Sequence, residues 1–374
     1  MKSLAQSIFL LIFILAGCSE PKKEIVQKVK YDIPFDGTVQ DIKLEQLFKN
    51  ISYLPLETND SCLLKYIKRI ICKNGYIYIA DTKSGGQEIT LFKEDGHYKR
   101  KIGHKGNGPE EYLGFLNISV NNAGNISFGD RKKQSVITYT VNDKFVSRVK
   151  IDSIHIRDLV YLDDTTLLLR SDLDREGYKF YVLNTPQNKV SNYYFSISKR
   201  MLNSFFNDCF TTYGNKVLMC EYQSNKIIEV SKDSMSVRYI FNIGNKMPPE
   251  GFWDRMIPAF DIYNEYTKYG YIGHIPCFAE GDNSMLLRFQ GNPKETKAFA
   301  FIDKVTEQST IFKRLILTDG VVIEPNFFFS RGDGKIIFLV MPSDILESGN
   351  VEFISRFPGL EEDSNPVLLF AEIK

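Results

Sequence analysis

The chain has 374 residues, 43% hydrophobic and 13% aromatic, enough to bury a substantial core in one β-rich domain or in two smaller ones. Forty-seven Lys and Arg against 46 Asp and Glu leave a formal charge of +1. With no basic run to form a patch, this balance excludes an electrostatic platform for nucleic acid.

At the N-terminus, Lys2 precedes an almost wholly apolar run from Leu4 to Leu15. That run is too short to span a bilayer comfortably and has the length of a signal-peptide core, so residues 1–17 are expected to be a signal peptide. Leu15-Ala16-Gly17-Cys18 resembles a bacterial lipobox. The resemblance implies cleavage before Cys18, lipid on its thiol, and a membrane as partner. The alternative is an ordinary secretory signal with a chance cysteine. Residues 18–45 are then expected to be a lipidated N-terminus and a charged tether. The remaining cysteines are Cys62, Cys72, Cys209, Cys220 and Cys277, an odd number that excludes a complete disulfide framework. Cys209 and Cys220 flank a Gly214-Asn215 turn that would set them opposite each other, as a bridge or, the preferred reading, as buried thiols.

From residue 46 onward one pattern repeats: apolar strand, Gly/Asn/Asp turn, apolar strand. It recurs as RIIC-KNG-YIYIAD, ISVN-NAG-NISFGD, LVYL-DD-TTLLLRSD, CFTTY-GN-KVLMCE, CFAE-GDN-SMLLRF and NFFFS-RGDG-KIIFLV. The turns use residues that tolerate positive φ or bond their own backbone. A spacing of about 40 to 50 residues, with strands throughout, is the signature of a β-propeller. Two further strands follow each pair, as in EITLFKE and HYKRKIG around Asp95-Gly96. The expected fold is therefore all-β: a six-bladed propeller of four-stranded antiparallel blades over residues 46–374. The last unit lacks two strands, which Val367 to Ile373 and Ile51 to Leu56 would supply, closing the ring through the chain ends. Insertions at 245–276 and 342–366 interrupt the period.

In such a blade, the loop after strand two and the exit after strand four share one face. That face would collect both insertions, and the short turns would occupy the other. Asp81, Asp130, Asp172 and Glu221 end second strands, where an acid either caps the loop or lines the channel. Gly103-His104-Lys-Gly-Asn-Gly-Pro109 lacks the following helix of a phosphate-binding loop and reads as a crossing between blades. Arg331-Gly332-Asp333 reads as a hairpin turn.

The stretch 78–112 resembles an NHL repeat, through Ala80-Asp81, Asp95-Gly96 and Gly103, Gly106, Gly108 and Pro109. Together with the lipobox and the terminal NPVLLFAEIK strand, the chain resembles the six-bladed β-propeller lipoproteins of Gram-negative anaerobes. That resemblance implies the fold and an envelope address, in the outer membrane, and carries over no activity. Some NHL-type enzymes are lyases that hold zinc through histidines, so His104, His155 and His274 form one candidate site, for a metal-dependent lyase or hydrolase. His97 falls in an opposite-face turn. No Gly-x-Ser-x-Gly, His-Glu-x-x-His or Ser-x-x-Lys motif is present, and no cofactor is expected. The preferred candidate is a binding face in the 245–276 insertion. There Trp253, Tyr263, Tyr266, Tyr269 and Tyr271, with Arg255 and His274, offer aromatic planes and polar tips to a glycan, peptide or protein. His104, Asp81 and Asp130 complete that expected face. The sequence thus predicts a lipid-anchored binding or scaffolding protein.

Overall fold

The computed structural model describes residues 29–35, 40–83, 86–151, 154–174, 178–196, 210–220, 224–249, 252, 261, 264–265, 268–272, 274–290, 297–325 and 327–374. They form a six-bladed propeller. Blade 1 holds Tyr66–Lys73, Tyr76–Lys83, Gly86–Lys93 and Tyr98–Ile102. Blade 2 holds Ile118–Val120, Ile126–Asp130, Ser135–Tyr139 and Phe145–Lys150. Blades 3, 4 and 5 begin with Ile154–Tyr161, Phe210–Tyr213 and His274–Glu280. Blade 6 begins with Phe328–Gly332. In each case the first strand is innermost, and these six strands neighbour one another in a closed ring.

The sequence shapes each blade through what its strands face. Middle strands are sandwiched between neighbouring blades, so both of their faces are buried, as in Ile126–Asp130 and Ser135–Tyr139. Outer strands have one wet face, and Phe145–Lys150 mixes exposed and covered residues accordingly. The apolar core is divided among the six seams between blades. Ile118, Phe128 and Tyr139 of blade 2 pack with Tyr78, Leu91 and Ile102 of blade 1, for example. The seam between blades 2 and 3 also carries a hydrogen-bonded polar group: Ser127 Oγ lies 2.7 Å from Thr138 Oγ1 and 2.6 Å from Tyr161 Oη of blade 3.

The ring closes as expected. Val367–Ile373 pairs antiparallel with Phe48–Pro55, from Val367 opposite Pro55 to Ile373 opposite Phe48. This N-terminal strand is the outermost of blade 6, and Pro55 ends it at the free edge, where a missing N–H costs no ladder bond.

Two elements differ from expectation. The tether predicted over 18–45 is, from residue 29 on, part of the sheets. Val29–Asp32 adds a parallel fifth strand to Met235–Asn242 of blade 4, and Gln40–Lys43 pairs in parallel with Ser309–Ile316 of blade 5. The reason is edge satisfaction: outer strands leave backbone groups unpaired, and a passing chain with alternating apolar residues covers them. Tyr31 and Ile33 are buried, and Tyr31 stacks 6.3 Å from Phe241. The 342–366 insertion contains two short helices, Pro342–Leu346 and Val351–Ile354. Asn350 caps the second by accepting from the Phe353 amide at 3.0 Å. Ile345, Phe353 and Phe357 are buried, the last two edge-on to Tyr53. The expected signal peptide and Cys18 lie outside the described residues.

Candidate functional site

The second-strand carboxylates cap loops. Asp81 is buried and accepts from the Lys65 and Tyr66 amides, at 2.7 Å from the latter. Asp130, also buried, accepts from the Leu113 amide at 2.8 Å and from those of Lys132 and Lys133. Of the two roles open to these acids, capping is the one observed: both side chains satisfy the loop entering an inner strand. Glu221 and the side chain of Asp172 lie outside the described residues.

His104 and His155 are not brought together. His104 is exposed at the rim, with Nε2 3.4 Å from Asp143 Oδ2 in the last turn of blade 2. The twist of blade 1 causes this: its outer strand leans on the next blade, where Arg100 donates to the Asn142 carbonyl and the Gly103 amide to Asp143. His155 instead lines a depression beside Phe115, Arg131 and Lys132, which His104 does not reach. The side chain of His274 lies outside the described residues. Among the described residues, no three His, Cys, Asp or Glu side chains are close enough to hold a metal ion. His97 is exposed in its turn, 3.4 Å from Glu57.

In the 245–276 insertion, Trp253, Arg255, Tyr263 and Tyr266 lie outside the described residues. What is described is a small aromatic cluster. Tyr269 and Tyr271 stack at 5.4 Å, and Phe252 packs edge-on to Tyr271 at 5.3 Å. Phe252 is buried, Tyr269 is exposed, and the Lys268 ammonium sits 4.9 Å above the Tyr269 ring. Sequence reasoning missed Phe252, which anchors the pair.

A cavity of about 500 Å³ opens instead on the short-turn face, on the propeller axis. Inner-strand ends and turns of blades 1, 2, 3, 4 and 6 line it; no described residue of blade 5 does. Its floor is Arg69, whose Nη2 donates to the Phe210 carbonyl at 3.0 Å. Arg69 belongs to blade 1 and Phe210 to blade 4, so the side chain crosses the axis. Beneath it lies a void of about 40 Å³ reached by Cys220, Cys277 and Phe328. The cavity is therefore a cup closed below by Arg69. Cys220 and Cys277 carry free thiols, and burial pushes the Cys220 thiol up, making it a poor nucleophile. Cys209 lies outside the described residues.

The cup is lined by four cations, Arg69, Lys73, Lys216 and Arg331, and two carboxylates, Asp163 and Asp164. Both carboxylates are engaged. Asp163 pairs with Lys232 and accepts from the Thr165 amide at 2.8 Å; burial raises its pKa, but these bonds outweigh it and hold the group at about 2. Asp164 accepts from the Asn122 amide at 2.7 Å. Lys216 pairs with Glu229 at 3.3 Å. Lys73 donates to the Val120 carbonyl at 3.2 Å, and burial lowers its ammonium from the ordinary value against the opposing pull of Asp164. The Arg331 guanidinium carbon lies 4.9 Å from the centre of the Phe370 ring, in an adjoining depression that both residues line. Thr211, 9% exposed, lines the floor with a hydroxyl oxygen that makes no hydrogen bond. No sequence motif marks this site, because its residues come from five blades.

The family model described as "Domain of unknown function (DUF4934)" matches residues 30–372. The chain is similar in structure to an inferred exported protein of Bacteroides fragilis, with 20% identity and a TM-score of 0.77 over 92% of this chain and all of that one. It is also similar to a member of the DUF4221 family from Bacteroides vulgatus, with 12% identity and a TM-score of 0.52 over 88% of this chain and 97% of that one. At these identities the likeness shows the six-bladed fold. No curated protein matches the chain. No helix among the described residues is long and apolar enough to cross a membrane.

Proposed function

The chain belongs to the DUF4934 family, and from that premise we propose that it is a lipid-anchored binding protein of the bacterial envelope whose ligand sits in the axial cup. The observation that carries this reading is the cup itself. It has the size of a small-molecule site, a closed floor, and polar groups converging from five blades. The lipobox-like Leu15 to Cys18 and the exported structural neighbour support the envelope address. The reading is non-catalytic: among the described residues that line the cup, no nucleophile is paired to a base.

A glycan and peptide array probed with purified protein tests the reading. Asn122 and Asn215 are exposed at the mouth, so Asn122→Trp and Asn215→Trp obstruct it with little effect on the core. Binding by the wild type that both variants lose is the expected result. Binding that survives both variants would move the site elsewhere. A second reading places a partner on the insertion-bearing face, favoured by the exposed Tyr269 stacked on Tyr271; Tyr269→Ala is its test on the same array.

A further inference from the structure

The charges left over in the cup define the ligand more narrowly. Asp163 and Lys216 are paired within the fold, with Lys232 and Glu229, and Asp164, capped by the Asn122 amide, is a single carboxylate against Arg69, Lys73 and Arg331. What remains is cationic. Arg69 gives one Nη2 hydrogen to a carbonyl. Lys73 makes a single bond, to the Val120 carbonyl, which leaves its other ammonium hydrogens for a ligand. Arg331 is exposed and lies over the Phe370 ring, 4.9 Å from its centroid. These cations come from blades 1 and 6, which are neighbours in the ring, and all three line the cup. Elsewhere the lining offers neutral hydrogen-bonding groups: Asn122, Asn215, Thr212, Ser330 and the unpartnered Thr211 hydroxyl.

Resting on the reading that the cup is the ligand site, we propose that its ligand is a small hydroxylated carboxylate. Lys73 and Arg331 take the carboxylate, and the Asn, Ser and Thr groups take the hydroxyls. Charge-assisted bonds to the carboxylate supply the selectivity, since they are about twice as strong as neutral ones. A volume of about 500 Å³ admits either an acidic sugar unit of a glycan or a free hydroxy acid.

Isothermal titration of the full chain with digalacturonate, citrate and the neutral digalactose tests the proposal. At least one acid is expected to bind at least tenfold more tightly than digalactose, and which acid does so identifies the source. Lys73→Met and Arg331→Gln should each weaken that acid about tenfold or more, whereas Lys73→Arg should retain it. Thermal melts of each variant separate a lost contact from a lost fold. Absence of binding by either acid at millimolar concentration would overturn the proposal, as would acid binding unchanged in both charge variants. Equal binding of acid and neutral disaccharide would also overturn it. In that last case, loss of binding in Asn122→Trp would leave the cup as the site while removing the anion, and persistence would remove the cup as well.

Discussion

Among individual residues, Glu280 shows how a charge is tolerated inside a blade seam. It is 1% exposed at the end of the first strand of blade 5. Arg238 of blade 4 reaches it with two bonds, Nε at 2.9 Å and Nη2 at 2.8 Å, and Tyr239 donates at 2.6 Å. Lys304 adds a third cationic or polar donor at 3.2 Å. Burial pushes the Glu280 carboxyl up, but the bonds from Arg238 and Tyr239 and the charges of Arg238 and Lys304 outweigh it and hold it below the ordinary 4.5. A carboxyl lower in the folded than in the unfolded state stabilises above its unfolded value, and that stability is lost as pH falls through the folded value. Glu280→Gln should therefore cost about 3 kcal/mol at neutral pH, since it leaves Arg238 partly unpaired in a covered site. The gap between wild-type and variant melting temperatures should hold steady from pH 7 to about 5 and narrow as pH falls further, below the ordinary carboxyl value and through the lowered folded one. A gap that stays constant with pH would contradict the assignment.

Residue roles were unevenly legible. Asp81 and Asp130 end strands at equivalent points of a repeat, so capping was readable as one of two options, and the amide bonds select it. Arg69 was not readable. Its role depends on Phe210, 141 residues away, and on two blades facing each other across the axis.

At the level of elements, strands and turns were legible because both announce themselves locally. Middle strands are apolar on both faces, and the turns carry Gly and Asn where φ is positive, as at Asn74 and Gly75. Gly334, with φ near 73°, also brings its turn so close to blade 5 that an added Cβ would lie 2.9 Å from the Gly281 Cα. The parallel edge strand Val29–Asp32 was hidden, because Tyr31 and Ile33 stand in a charged stretch that reads as a tether. Its worth is measurable. Tyr31→Ala removes a buried ring packed on Tyr239 at 5.9 Å and on Phe241, and should cost about 3 kcal/mol in denaturant unfolding. Lys30→Ala, at an exposed position of the same strand, should change stability by no more than about 0.5 kcal/mol. Equal small effects from both would mean that the strand only decorates blade 4.

For the whole molecule, blade number and closure followed from counting turns and from two leftover strands at the chain ends. The location of the concave site did not. Insertions and aromatic residues drew attention to one face, whereas the cup lies on the other. Its shape comes from an irregular ring: the inner strands of blades 4 and 6 approach each other directly, and blade 5 contributes no lining residue among those described. Such a departure from sixfold regularity is a property of packing between blades, and no single repeat encodes it. The most direct test of the cup as binding site is hydrogen exchange, read by mass spectrometry, with and without the tightest saccharide from the array. Binding in the cup predicts slowed exchange in 69–73, 119–122 and 160–164, with 268–276 unchanged. Protection confined to 268–276, with those three inner-strand ends unaffected, would contradict it.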